Sequence, residues 1–165
     1  LAAYVTDIAP RWSDMDSFGH VNNAKMVTLL EEARVGLLFD HPAGSGLDAL
    51  SRGVVIAHLA IDYHLPVVVT GAPLRVEIAV REVRTSSFTL DYALRRGPAV
   101  SDPVAASAQT VLVPFDVDAG RPRRLSPVEA EYLSKWVPGP EGPRYEPRRP
   151  RGAGAAAGGS GVGGA

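Results

Sequence analysis

Asp14–Asp40 reads DMDSFGHVNNAKMVTLLEEARVGLLFD, and its two halves follow different rules. From Asn22 onward apolar residues recur at helical spacing. Ala24, Met26, Leu29, Leu30, Ala33, Leu37 and Leu38 cover a wide arc, while Lys25, Thr28, Glu31, Glu32 and Arg34 keep to the other side. An arc that wide predicts a helix with little exposure over Asn22–Asp40. Pro42 and the glycines of HPAGSG, His41–Gly46, then end it. The first half, Asp14–Asn23, sets two carboxylates, a glycine, a histidine and two asparagines at the entrance of that helix.

Four strand-like runs follow. GVVIAHLAIDYHL, Gly53–Leu65, is almost continuously apolar and rich in β-branched residues. LRVEIAVREV, Leu74–Val83, alternates: Leu74, Val76, Ile78 and Val80 face one way, Arg75, Glu77 and Arg81 the other. SFTLDYALRR, Ser87–Arg96, alternates as well, and VAASAQTVLVPF, Val104–Phe115, is a long last strand. The turn signals TGAP, TSS and RGPAVSDP separate them. Links this short favour antiparallel neighbours, so the runs read as a meander. SPVEAEYLSKW, Ser126–Trp136, closes the domain with a short helix that has Ser126 and Glu129 as a capping box and Pro127 at its first position. A long apolar helix ahead of such strands must bury itself on one face of their sheet, so the fold class is α+β.

Composition narrows the function. A chain of 165 residues, 45% apolar and 21% charged, is a globular protein of one domain. Seventeen basic against eighteen acidic residues leave no basic stripe, so no nucleic-acid partner is expected. The absence of cysteine excludes thiolate nucleophiles, thiolate metal sites and disulfides. No run has the length and purity of a membrane span, and LAAYVTDIAPRW does not read as a signal peptide. The expectation is a cytoplasmic protein with no membrane partner. After Trp136 the chain turns to Pro, Gly, Ala and Arg. The domain is therefore read as 1–136, and Val137–Ala165 as a disordered, dispensable tail whose Arg144, Arg148, Arg149 and Arg151 are solvated, contact with an acidic partner being the alternative.

The polar stretch has a chemistry. A helix N-terminus leaves N–H groups unpaired and partly positive, suited to a developing oxyanion. The donors here belong to Asn22, Asn23 and their neighbours; Gly19 permits a tight turn, and Asp16 lies just upstream. A carboxylate beside an oxyanion hole can attack an acyl carbon or take a proton from water. Each residue also has an ordinary structural role: Asn22 or Asn23 as a cap, Asp14 as an acceptor or a partner for Arg11, His20 as a satisfied turn histidine. The D-M-D triplet has no third metal ligand at fixed spacing, and His20, His41, His58 and His64 form no zinc pattern. His58 is read as packed within its strand. No G-x-S-x-G elbow occurs.

RWSDMDSFGHVNNAKMVTLLEEAR, Arg11–Arg34, resembles the signature of hotdog-fold acyl-CoA thioesterases of the 4-hydroxybenzoyl-CoA thioesterase class: D-x-D-x-x-G-H-V-N-N before a helix that ends in E-E-A-R. The resemblance extends through IDYHLPVVVTGAPLRVEI, Ile61–Ile78, and covers roughly Val5–Phe115. It implies a hotdog fold, an antiparallel sheet wrapped round a long central helix. It also implies hydrolysis of acyl-CoA to free acid and CoA with no cofactor beyond the substrate. Asp16 matches the nucleophile or general base, and the Asn23 amide matches the donor to the thioester carbonyl. Gly19 and His20 complete the catalytic stretch, with His20 orienting substrate or water, and Asn22 is a further substrate contact. CoA phosphates need basic and hydroxyl groups, which Arg84, Ser86 and Ser87 offer at a turn; an ordinary polar turn is the alternative. Family sites form between subunits whose sheets join edge to edge, which implies a homodimer or a dimer of dimers. Met26 departs from the family, where a Tyr is common. The competing readings are a non-catalytic hotdog module that binds acyl-CoA, and a thioesterase acting on acyl carrier protein.

Overall fold

The computed structural model describes residues 3–40, 47, 50 and 52–148. Strand β1 spans Tyr4–Ile8 and leads through a 3-10 turn, Trp12–Asp14, to helix α1, Asn23–Val35. The helix continues as a wider π turn over Gly36–Asp40. Strands β2 (Val54–Tyr63), β3 (Leu74–Val83), β4 (Phe88–Arg95) and β5 (Val104–Asp116) follow, then a two-residue β6 (Arg121–Pro122) and helix α2 (Pro127–Ser134). The loop HPAGSG lies outside the described residues.

The sheet is antiparallel, in the order β1-β3-β4-β5-β2, with β6 paired to β5. Strands β3, β4 and β5 form the expected meander, but β2 does not neighbour β3. The link His64–Pro73 carries the chain across to the other side, and β2 pairs with β5 as an edge strand. The apolar run of β2 is accordingly not a buried one. Val55, Ile56, Ala57 and His58 are exposed, so His58 is not packed as its apolar neighbours suggested.

Helix α1 buries Met26, Leu29, Leu30 and Ala33, and the π turn adds Leu37 and Leu38. Opposite them stand Val76, Ile78 and Val80 of β3, Leu90, Tyr92 and Leu94 of β4, and Ala106, Ala108 and Leu112 of β5. These strand residues recur with period two and so share one face of the pleat. The helical arc is shifted from its expected position: Ala24 is exposed, and Arg34 is buried with its guanidinium 3.2 Å from Glu31. The result is the α+β hotdog arrangement of one long helix inside a curled antiparallel sheet. Helix α2 is capped as expected. The Ser126 hydroxyl accepts from the Glu129 N–H at 3.2 Å, and the Glu129 carboxylate accepts from the Ser126 N–H at 2.7 Å.

After α2 the chain does not leave the domain at Trp136. The Val80 N–H donates to the Trp136 carbonyl at 3.0 Å, just beyond Ile78, the last β3 residue paired with β1. Residues 137–148 then cross the outer face of the sheet as a strap. Arg81 Nη1 donates to the Tyr145 carbonyl at 2.7 Å, and the Tyr145 N–H donates to Asp91 Oδ2 at 3.1 Å. The Arg148 N–H reaches Asp62 Oδ2 at 3.2 Å. Tyr145 is only 5% exposed. The segment read above as the start of a disordered tail is thus held by one aromatic ring and a few polar anchors. It has no apolar period, because it forms no element that would need one. Arg149–Ala165, read as the rest of that tail, lie outside the described residues. Tyr145→Ala is expected to cost about 1.5–3 kcal/mol, the scale for burying one large side chain, seen as a lower urea midpoint at unchanged slope. A chain ended after Trp136 should lose more; a midpoint equal to that of the full chain would refute the docking.

Candidate active site

The stretch before α1 folds into a tight hairpin. The Asn22 N–H donates to the Asp14 carbonyl at 2.8 Å, and the Asp16 N–H donates to the His20 carbonyl at 2.8 Å. Met15 and Val21 face each other in an antiparallel bridge between these bonds. The tip turns through Gly19 at φ +78°, with nothing within 4 Å of where a Cβ would lie. The glycine is needed for its left-handed backbone, not for space. The Val21 N–H donates to the Val67 carbonyl at 2.7 Å, which ties the hairpin to the β2–β3 link.

Asp14 is the base of this hairpin. It is 1% exposed, and its carboxylate accepts from the Arg11 N–H at 2.7 Å and from Arg11 Nη2 at 3.0 Å. The Arg11 hydrogen bonds hold the Asp14 carboxyl below the ordinary aspartate range, against the opposing effect of burial. Of the two roles open to it in the sequence, it performs both: acceptor and partner of Arg11.

Asp16 stands two residues on, half-buried, on the same hairpin. Its Oδ1 accepts from the Phe18 N–H at 2.9 Å and weakly from the His20 N–H at 3.4 Å. Gly19 and His20 are exposed in the same turn. Asn22 is the N-cap of α1, its Oδ1 accepting from the Ala24 N–H at 2.9 Å. Asn23, exposed, opens the helix, and among the described residues its N–H has no acceptor. Asp16, Gly19, His20, Asn22 and Asn23 therefore stand together at one helix end, with Trp12 and Phe18, 81% and 83% exposed, on either side of Asp16 in the chain. One contact of this site escapes the sequence reading. The Tyr63 hydroxyl, from the last residue of β2, donates to the Asn23 carbonyl at 2.8 Å. Alternation within the run IAHLAIDYHL was the available signal, but only tertiary folding shows that Tyr63 meets α1.

Arg84, Ser86 and Ser87 are not brought to this place within one chain. They form the β3–β4 turn, closed by an Arg84 N–H to Ser87 carbonyl bond of 2.8 Å, and Arg84 pairs with Glu82 at 2.9 Å. The hairpin adjoins the Leu74 end of β3, since Ile8 pairs with Leu74; the turn is at the Val83 end. At the usual strand rise the two are about 30 Å apart. Arg84 and Ser87 line a groove of about 410 Å³ on the outer face, together with Arg81, Gln109 and Tyr145.

Residues 10–137 match the thioesterase-like superfamily. The chain belongs to that superfamily. It is a thioester hydrolase, so the non-catalytic module is set aside. Among the solved structures similar to this thioesterase is a Thermus thermophilus thioesterase complexed with coenzyme A and zinc, 23% identical at a TM-score of 0.66, covering 80% of this chain and 92% of that one. A Pseudomonas aeruginosa protein provisionally assigned as a thioesterase is 29% identical at a TM-score of 0.62, covering 76% and 94%. One from Pseudomonas putida, also provisionally assigned, is 18% identical at a TM-score of 0.71, covering 92% and 96%. No curated protein matches this sequence. No helix among the described residues of the thioesterase is long and apolar enough to cross a membrane.

The Asp14–Arg11 contact yields a prediction for this thioesterase. Asp14→Ala should cost roughly 1–3 kcal/mol, the scale of losing charge-assisted hydrogen bonds at a buried acceptor, in a urea titration. The folded-state pKa of Asp14 is depressed. Its contribution is therefore present above the unfolded-state value of about 3.9 and is lost as pH falls through the folded-state value. A wild-type and variant pair whose stability difference persists unchanged through that acid range would contradict this role.

Proposed function

We propose that the thioesterase hydrolyses acyl-CoA in the manner of the 4-hydroxybenzoyl-CoA class, with Asp16 as nucleophile or general base and the Asn23 N–H as donor to the thioester carbonyl. The observation that carries this reading is the hairpin that leads from Asp16 into a helix end whose first N–H has no acceptor among the described residues. A carbonyl oxygen at that N–H is polarised by the helix end, and a developing oxyanion is stabilised there more than the ground-state carbonyl. A carboxylate on the neighbouring turn is then within reach of the acyl carbon, or of a water against it. His20 orients substrate or water, Asn22 contacts the substrate, and no cofactor takes part. The protein acts in the cytoplasm.

The working unit of this proposal is a homodimer, or a dimer of dimers, with the site shared. In a single chain, Trp12 and Phe18 flank Asp16 in the open, and the β2 edge exposes Val55 and Ile56. Both features favour a second copy. A two-fold axis that pairs β2 with the partner's β2 in antiparallel fashion reverses the strand direction. The Tyr63 end of one protomer then lies towards the Val54 end of the other, at the end of the sheet that carries the β3–β4 turn. Arg84, Ser86 and Ser87 of one protomer are in this way offered to the CoA whose acyl group sits at Asp16 of its partner. Their separation within one chain is what this pairing accounts for.

Asp16→Asn is expected to keep the fold and lower kcat by about 10²–10⁴-fold, the usual contribution of a general base or more for a nucleophile. Free CoA release from an acyl-CoA series is the readout, and near-normal turnover would exclude Asp16. Arg84→Ala should raise KM about tenfold with little change in kcat, because a phosphate contact is alike in ground and transition states. Light scattering should give a dimer or larger; a stable, active monomer would rule out the shared site.

A further inference from the structure

The C-terminal strap and the helix end meet on opposite faces of the same three residues. Asp62 and His64 hold the strap. Asp62 Oδ2 accepts the Arg148 N–H at 3.2 Å and lies beside the Tyr145 phenol. His64 Nδ1 is 2.8 Å from Arg148 Nη2, and His64 Nε2 is 2.7 Å from the Ser107 hydroxyl. A guanidinium only donates, so Nδ1 is the acceptor and Nε2 carries the hydrogen. Between them, Tyr63 turns the other way, as alternation in a strand requires, and its hydroxyl holds the Asn23 carbonyl at 2.8 Å. The backbone continues directly to Val67, whose carbonyl accepts the Val21 N–H at 2.7 Å. The strap is bonded to Arg81 on β3, Asp91 on β4 and Asp62 on β2, and Gln109 of β5 supports Asp91 by donating to it at 2.9 Å.

We propose that Asp62–Tyr63–His64 is a clip through which the strap fixes the end of α1 where the thioester is bound, with Tyr63 as a positioning residue and Arg148 as its remote support. This rests on the reading of Asp16 and the Asn23 N–H given above. The Asn23 carbonyl and its N–H belong to adjacent peptide units of the first helical turn. A phenol bonded to the carbonyl restrains the direction in which the N–H points. An oxyanion donor misaimed by a fraction of an ångström loses stabilisation in the transition state more than in the ground state. The clip therefore acts on kcat. The segment Val137–Arg148 becomes part of the catalytic framework although it touches no reacting atom.

The test uses the full chain with Tyr63→Phe, Arg148→Ala and Arg148→Lys, measured beside Asp16→Asn. Steady-state kinetics with one acyl-CoA are combined with amide hydrogen exchange at Val21 and at Met26, whose N–H donates to the Asn22 carbonyl at 2.9 Å. Tyr63→Phe is expected to lower kcat about tenfold with KM within about twofold, and to speed exchange at both amides. Arg148→Ala should give the same pattern at smaller amplitude, and Arg148→Lys, which still donates, should restore it. Wild-type kcat and wild-type exchange in folded Tyr63→Phe and Arg148→Ala overturn the clip. Faster exchange with unchanged kcat, where Asp16→Asn is inactive, overturns its positioning role alone. An active Asp16→Asn overturns the site reading, and the proposal with it.

Discussion

Met26, Leu29, Leu30, Ala33, Leu37 and Leu38 leave water only by packing on the inner face of β3, β4 and β5, and that one contact governs the rest of the molecule. Among the described residues there is a single long helix and a single main sheet, so the sheet must curl round the helix to cover so wide an arc. Each buried aliphatic side chain contributes on the order of 1.5–3 kcal/mol, which makes this packing the main favourable term. Everything else is fitted to the ends, the outer face and the edges that the packing leaves over.

The helix end is the first of these. A buried helix has its N-terminal N–H groups at the rim of the core, where they need partners. The hairpin Asp14–Asn22 meets that need incompletely. Asn22 caps Ala24, and the Asp14 carbonyl takes the Asn22 N–H, yet the Asn23 N–H is left over among the described residues. Asp14 is committed to Arg11 and to structure, while Asp16, two residues on, is only lightly held by its own turn. The same D-x-D thus divides into a buried fastening and a half-buried carboxylate available for chemistry.

The outer face and the edge are the second. With the helix on one side, the other side of the sheet carries polar residues: Arg81, Asp91, Gln109, Asp62 and His64. A strap of low apolar content suits such a face, because it docks by hydrogen bonds to side chains already arranged on strands. Asp91, 1% exposed, would be a poorly satisfied buried carboxylate without Arg81, Gln109 and the Tyr145 N–H around it. At the β2 edge Val55 and Ile56 have no such cover among the described residues, and that is the edge the proposed second copy would use.

The sequence by itself determined the α+β class, the central helix, the alternation of β3 and β4, the capping box at Ser126 and Glu129, and the cluster at the helix entrance. Those are local facts: period, cap chemistry and turn residues within a few positions of one another. Tertiary structure alone decided that β2 crosses to pair with β5, because a run such as VVIAHLAIDY is apolar whether a sheet or a second subunit covers it. It decided that Arg34 is buried, that Tyr63 meets Asn23, and that Arg84 stands at the far end of the sheet from Asp16. It also decided that Tyr145 and Arg148 belong to the domain. Each of these joins residues far apart in the chain through one or two hydrogen bonds or a change of face. No pattern of composition records such a bond, because its partner is chosen by the fold.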